Sequence, residues 1–192
     1  LTYSPLPIED YGLIGDCISC ALVGRNGSID WLCWPRFDSP ACFAALLGDD
    51  RNGRWMIAPE PMLRDVGASG GHAAIPEGIT VTRSYPGCGM VLETVFFTPT
   101  GDVAVLDFMV IDAAAPTIVR IVEGRSGKVS MSMDLMLRMD YGLSVPWVSS
   151  LDGGEGISAI SGPTRCVLRS RIPLHSHDLR TLARFTVSAG ER

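Results

Sequence analysis

No apolar run in the chain approaches the roughly 20 residues that a membrane-crossing helix needs. The start, LTYSPLPIEDY, lacks the basic stretch and apolar core of a secretion signal. Charge is sparse: 19% of residues are ionic, acids outnumber bases 21 to 16, and the net charge is −5. The basic residues stand singly, so a phosphate backbone would be repelled, and neither nucleic acid nor a membrane is an expected partner. No Gly-x-Ser-x-Gly places a nucleophile beside His72, His175 or His177, which leaves a Ser-His-Asp triad without its centre. Cys17-x-x-Cys20 has no second Cys/His pair at matching spacing, and residues three apart on a strand face opposite sides. His175-x-His177 lacks a third ligand and reads as a pair of exposed loop histidines. The Gly/Ala-rich residues 66–78 have no strand and helix around them to cradle a phosphate, so they read as a surface loop. No metal and no cofactor is expected. A repeat of roughly 20 to 50 residues is absent, as is any low-complexity tract.

What is present is a chain of 192 residues, 46% of them hydrophobic, enough for a single domain with one good core. Short segments rich in β-branched and aromatic residues recur between turn residues, the pattern of an all-β sandwich or barrel. Residues 79–85, 90–98 and 103–111 read as a meander, turned at Pro86-Gly87-Cys88-Gly89 and Pro99-Thr100-Gly101-Asp102. Residues 117–122 read as a strand ended by a turn at 124–127. Residues 129–139 then alternate: Val129, Met131, Met133, Leu135, Leu137 and Met139 share one parity and Ser130, Ser132, Asp134 and Arg138 the other, with Met136 the exception, which predicts one buried and one wet face. Shorter strands follow near Trp147, at 157–160, 165–172 and 182–187. The last residues, 188–192, read as the turn before a closing strand, so the domain is expected to continue past Arg192. Six cysteines sit within apolar patterns and are expected to be reduced, buried thiols of a cytoplasmic protein.

The densest stretch is residues 8–48. Residues 17–23 and 29–34 read as strands joined at Arg25-Asn26-Gly27-Ser28, where Asn-Gly suits the two positive φ values of a type I′ hairpin. Asp38 or Ser39 can then cap a helix over 41–47 with Pro40 in its first turn and Gly48 as its stop, the one helix expected in the chain.

This stretch resembles a known family. The runs Ile14-Gly15-Asp16-Cys17, Ala21 through Cys33, and Pro35-Arg36-Phe37-Asp38-Ser39-Pro40 look like the start of bacterial and archaeal glycoside hydrolase family 15 proteins, the glucoamylase-like and trehalase-like enzymes. The likeness continues through Asn52-Gly53-Arg54-Trp55, Thr98-Pro99-Thr100-Gly101, Asp107-Phe108-Met109, Arg120-Ile121-Val122-Glu123-Gly124 and Asp140-Tyr141-Gly142, and so spans nearly the whole chain. The resemblance implies an antiparallel, supersandwich-like domain placed before an (α/α)6 barrel, in which two glutamates hydrolyse α-glucosides with inversion. Such a pair stands roughly 6.5 to 9.5 Å apart to admit a water, and no helical barrel is encoded here.

The expected function is therefore that of a non-catalytic domain whose partners are its own catalytic barrel and, through it, an α-glucoside such as trehalose or a malto-oligosaccharide; an oligomer is compatible with this reading. The alternative is a free-standing carbohydrate-binding or protein-interaction sandwich. The carboxylates Glu9, Asp10, Asp16, Asp30, Glu93 and Asp107 fall at strand ends or turns, where capping and solvation account for them. Trp34, Arg36, Phe37 and Asp38 form a loop with an aromatic plane and a hydrogen-bonding fork, and are the candidates for a substrate rim or a domain interface.

Overall fold

The computed structural model describes residues 6–64 and 75–192, so most of the predicted loop at 66–78 lies outside the described residues. The chain is a succession of antiparallel strands: β1 (Tyr11–Gly15), β2 (Cys20–Gly24), β3 (Ser28–Cys33), β4 (Ala41–Phe43) and β5 (Arg54–Pro59), then the short helix α1 (Glu60–Arg64). After it come β6 (Thr80–Ser84), β7 (Leu92–Thr98), β8 (Gly101–Met109), β9 (Ile118–Met136), β10 (Trp147–Ser150), β11 (Gly156–Ser161), β12 (Thr164–Arg169), β13 (His175–His177) and β14 (Arg180–Ser188). The main sheet runs β1-β2-β3-β5-β9-β8-β7-β6, with β14 also on β9, β13 on β14 and β4 on β3; β10-β11-β12 form a second, small sheet.

The 19 residues of β9 hold the two layers together. Its first half pairs with β8, and its second half is flanked by β5 on one edge and β14 on the other. The sheet curls along this strand until β1 meets the far edge of the sheet, where Tyr85, just after β6, donates its hydroxyl to the Leu13 carbonyl and accepts from the Leu13 amide, each at 2.8 Å. Ile14, Val23, Ile29, Leu32, Met56, Phe96, Val103 and Val105 fill the space between, each wholly buried. The result is the all-β sandwich that the strand spacing predicts.

At the centre lies an ion pair. Asp107 and Arg120 face each other across β8 and β9, with Nε to Oδ1 at 2.8 Å and both side chains wholly out of solvent. The same guanidinium donates to the carbonyls of Trp55 and Gly27, each at 2.7 Å, and lies over the Trp55 ring. Gly27 has φ +81°, and an added Cβ would stand 2.3 Å from the Ile57 carbonyl oxygen, so the turn admits no side chain there.

Several local expectations change. Residues 41–47 are not a helix: Ala41–Phe43 pair with β3, and a 3-10 turn, Ala45–Leu47, follows. Residues 41–45 are buried without a break, which suits a strand covered on both faces and leaves no polar side for a helix; neither Asp38 nor Ser39 caps one. The β2–β3 hairpin is not type I′, because only Gly27 takes positive φ. Asn26 is buried and accepts the Ser28 amide at 3.1 Å, while the Gly27 amide closes the turn on Gly24 at 2.9 Å. No turn interrupts residues 124–127: β9 runs straight through, and Gly124 is needed for close approach, since a Cβ there would meet the Ser188 carbonyl at 2.1 Å. The second parity of residues 129–139 is wet only at Ser130. Ser132, Asp134 and Arg138 are buried, because partners on both edges carry side chains over both faces.

Candidate functional site

The register sets where the chemistry-bearing loops meet. β1 ends where β2 begins, β3 ends beside them, and β5 and β14 begin where β9 ends. Residues 16–19, 34–40, 44–53, 137–146 and 178–179 therefore all emerge at one end of the main sheet, here the loop end.

Four expected site residues lie there, in two environments. Trp34, joined to Pro35 by a cis peptide, packs against the core, with its Nε1 buried and without a partner among the described residues. Arg36, Phe37 and Asp38 point outward instead. Arg36 Nε donates to Asp38 Oδ1 at 3.0 Å with both side chains mostly exposed, and this bond holds the Asp38 carboxyl below the usual carboxylate range. Phe37 is 58% exposed. The loop is pinned from beneath: the Phe37 amide donates to the Ile18 carbonyl at 3.1 Å, and the Ser19 hydroxyl to the Cys33 carbonyl. Ile18 and Ser19 are in turn fixed by Asp16, whose Oδ1 accepts both of their amides, at 2.9 and 2.7 Å.

Two further features of this end escape a reading of the sequence. Backbone strain gathers here: Cys17, Asp140, Tyr141, Asp178 and Leu179 all have positive φ, and among the described residues only Asp112 does so elsewhere without being glycine. Such residues cost on the order of 1–3 kcal/mol each and collect where the backbone must present a side chain in one orientation. Tyr141, in this conformation, sets its ring 6.1 Å from that of Trp31. Apolar side chains also stand in solvent, with Leu47 70%, Leu143 84% and Leu179 71% exposed. The only signal for them in the sequence is Asp140-Tyr141-Gly142, a family match with no physical reason attached.

The remaining candidates are engaged in structure. Asp10 pairs with Arg25, Glu93 with Arg125 and Asp107 with Arg120, while Asp30 accepts from Ser28 and Tyr11. His175 and His177 lie on exposed β13, and His177 Nε2 stands 3.1 Å from Asp178. Among the described residues no three His, Cys, Asp or Glu side chains are grouped to hold a metal ion. All six cysteines are free thiols. The expectation that all are buried fails at Cys17 and Cys88, which fall in turns and are exposed; Cys33 and Cys42 are buried and Cys20 and Cys166 half-buried. Burial pushes the Cys42 thiol well above its ordinary pKa, so it stays protonated at neutral pH. An aromatic disulfide reagent is expected to titrate Cys17 and Cys88 rapidly in the native protein and Cys42 only on unfolding; fast reaction at Cys42 would contradict this packing.

The family model described as "Trehalase-like, N-terminal" matches residues 2–172. The chain belongs to this family. It is 31% identical over 210 residues to a trehalase of Mycolicibacterium smegmatis, covering 94% of this chain and 29% of that protein. Trehalase 1 of Sulfolobus acidocaldarius is 33% identical over 149 residues, 78% of this chain and 23% of that protein. A trehalase of Mycobacterium tuberculosis is 29% identical over 209 residues, 93% of this chain and 28% of that protein. The chain thus spans less than a third of the length of these relatives. No solved structure matches it significantly. No helix among the described residues is long and apolar enough to cross a membrane. In this trehalase-like N-terminal domain the loop end carries the outward-facing Arg36, Phe37 and Asp38.

Proposed function

We propose that the chain is the non-catalytic N-terminal domain of a family 15 hydrolase acting on an α-glucoside such as trehalose, and that its loop end faces the catalytic part in the cytoplasm. The observation that carries this reading is the gathering, at one end of a rigid sandwich, of Arg36, Phe37 and Asp38 with strained Tyr141 and exposed Leu143. The membership and the extent of the relatives support a larger enzyme around it. The carboxylates that could act as acid and base are tied into ion pairs and turns, so the chemistry is assigned to the part outside this chain. The Arg36 fork, held flat by Asp38, and the Phe37 ring suit hydrogen bonding and stacking against a sugar at the rim of the substrate pocket.

The test is made on the complete polypeptide that contains this chain. It is expected to hydrolyse trehalose, whereas the 192 residues by themselves are not. Arg36→Ala is expected to raise KM or lower kcat of the complete enzyme with melting unchanged, because the side chain is mostly in solvent and, among the described residues, bonds only to Asp38. Unaltered kinetics with unaltered melting would remove Arg36 from the rim.

A further inference from the structure

The small sheet has two unlike faces. Ile157 and Ala159 of β11 are buried on the inner one, and Cys166 and Leu168 of β12 pack against the core beside them. The alternate positions form the outer face, where Trp147, Ile160 and Arg165 make one row across the three strands and Ser149, Ser158 and Val167 the next. Trp147 is 81% exposed, and Ile160 and Val167 are 46% exposed. Arg165 lies along this face, its Nε donating to the Ser158 hydroxyl at 2.9 Å, so that Ser158 is buried beneath it.

We infer that this outer face seats the remainder of the trehalase polypeptide, with Trp147 as the anchor; the inference rests on the functional reading above. Exposed tryptophan beside aliphatic residues and a laid-down arginine is the composition of an interface centre, where Trp and Arg carry most of the binding energy. The patch continues into the loop end. Ser144 and Ser161 share a hydrogen bond of 2.7 Å, which fastens the 137–146 loop, with exposed Leu143 and Val145, to the end of the small sheet's central strand.

Size separates the possible occupants. Three strands about 4.8 Å apart and four residues at about 3.3 Å each give a face of roughly 200 Å². A stable pair of separate molecules needs about 800 Å² per partner, so a second copy of the chain is poorly served. A neighbour in the same polypeptide is held at high effective concentration and needs far less contact to stay in place. The relatives' uncovered length, about 70% of each, is that neighbour.

Hydroxyl-radical footprinting of Trp147 tests this. In the 192-residue chain Trp147 is expected to oxidise freely, and in the complete polypeptide about tenfold more slowly, as for a side chain removed from solvent. Trp147→Ser with Ile160→Ser is expected to leave melting of the chain alone unchanged. In the complete polypeptide the same pair is expected to uncouple a single unfolding transition into two. Equal oxidation in both contexts would overturn the inference. So would a dimer of the chain that Trp147→Ser dissolves, or protection of Trp147 in the chain alone by trehalose or malto-oligosaccharide, which would assign the face to a sugar. A complete polypeptide that leaves trehalose intact sinks the functional reading, whereas hydrolysis with Trp147 unprotected sinks this one alone.

Discussion

Asp107→Asn is expected to destabilise the domain by about 3–5 kcal/mol, read as a melting midpoint roughly 6–20 °C lower. The substitution keeps the shape of the side chain and removes only its charge. Arg120 then remains wholly buried as a cation with no counter-charge, which costs far more than the pair itself contributes. Its other bonds, to the carbonyls of Trp55 and Gly27, keep it from swinging out to solvent. Arg120→Met is expected to be comparably severe, because Asp107 and both carbonyls lose their donor. The double variant Asp107→Asn with Arg120→Met is expected to cost clearly less than the two single changes summed, since no orphaned charge remains. Urea denaturation of the four proteins decides: additive losses would mean that the pair is not coupled and that the crossing of strands around it has another cause.

That pair also shows where sequence reading stops. Asp107 and Arg120 both stood in family-like runs, yet nothing local links them; their meeting depends on the β8–β9 register, which carries a bulge between Asp102 and Val103. The meander, the buried parity of residues 129–139 and the loop at Arg36, Phe37 and Asp38 were legible, because period-two patterning and turn chemistry act within a few residues; the second, flanking cover over Ser132, Asp134 and Arg138 comes from distant strands. The helix at 41–47 was misjudged because small apolar residues fit a doubly covered strand as well as a helix, and only the free edge of β3 decides between them. The turn at 124–127 was misjudged because glycine serves close backbone contact as readily as reversal, and the contact with Ser188 is made by residues more than 60 positions away. At the site, Leu143, Trp147 and Leu179 gave no signal: an exposed apolar residue and a buried one are identical in sequence.

Asp134→Asn is the second large effect expected, again about 3–5 kcal/mol, and it reaches the loop end. Asp134 Oδ2 accepts from Arg54 at 2.8 Å and from Arg180 at 2.9 Å, and Arg180 spans on to Asp50 at 2.9 Å. Arg54 is 2% exposed, so losing the Asp134 charge strands a buried guanidinium, the costly kind of deletion. Asp50 sits at the other end of the chain of charges and, among the described residues, pairs with Arg180 alone, which would keep Asp134, so Asp50→Asn is expected to cost clearly less than Asp134→Asn. Both changes remove one carboxylate from Arg180, and only Asp134→Asn also takes the counter-charge from the buried Arg54. Arg180 also begins β14 immediately after Asp178 and Leu179, whose left-handed backbone is held from the other side by Arg138 donating to the Leu179 carbonyl at 3.2 Å. Releasing Arg180 therefore frees a strained turn, and hydrogen exchange at residues 178–180 is expected to quicken in Asp134→Asn under conditions where the protein is still folded. Equal destabilisation by the two substitutions, or unchanged exchange at that turn, would mean that Asp134 does not hold the loop end in shape.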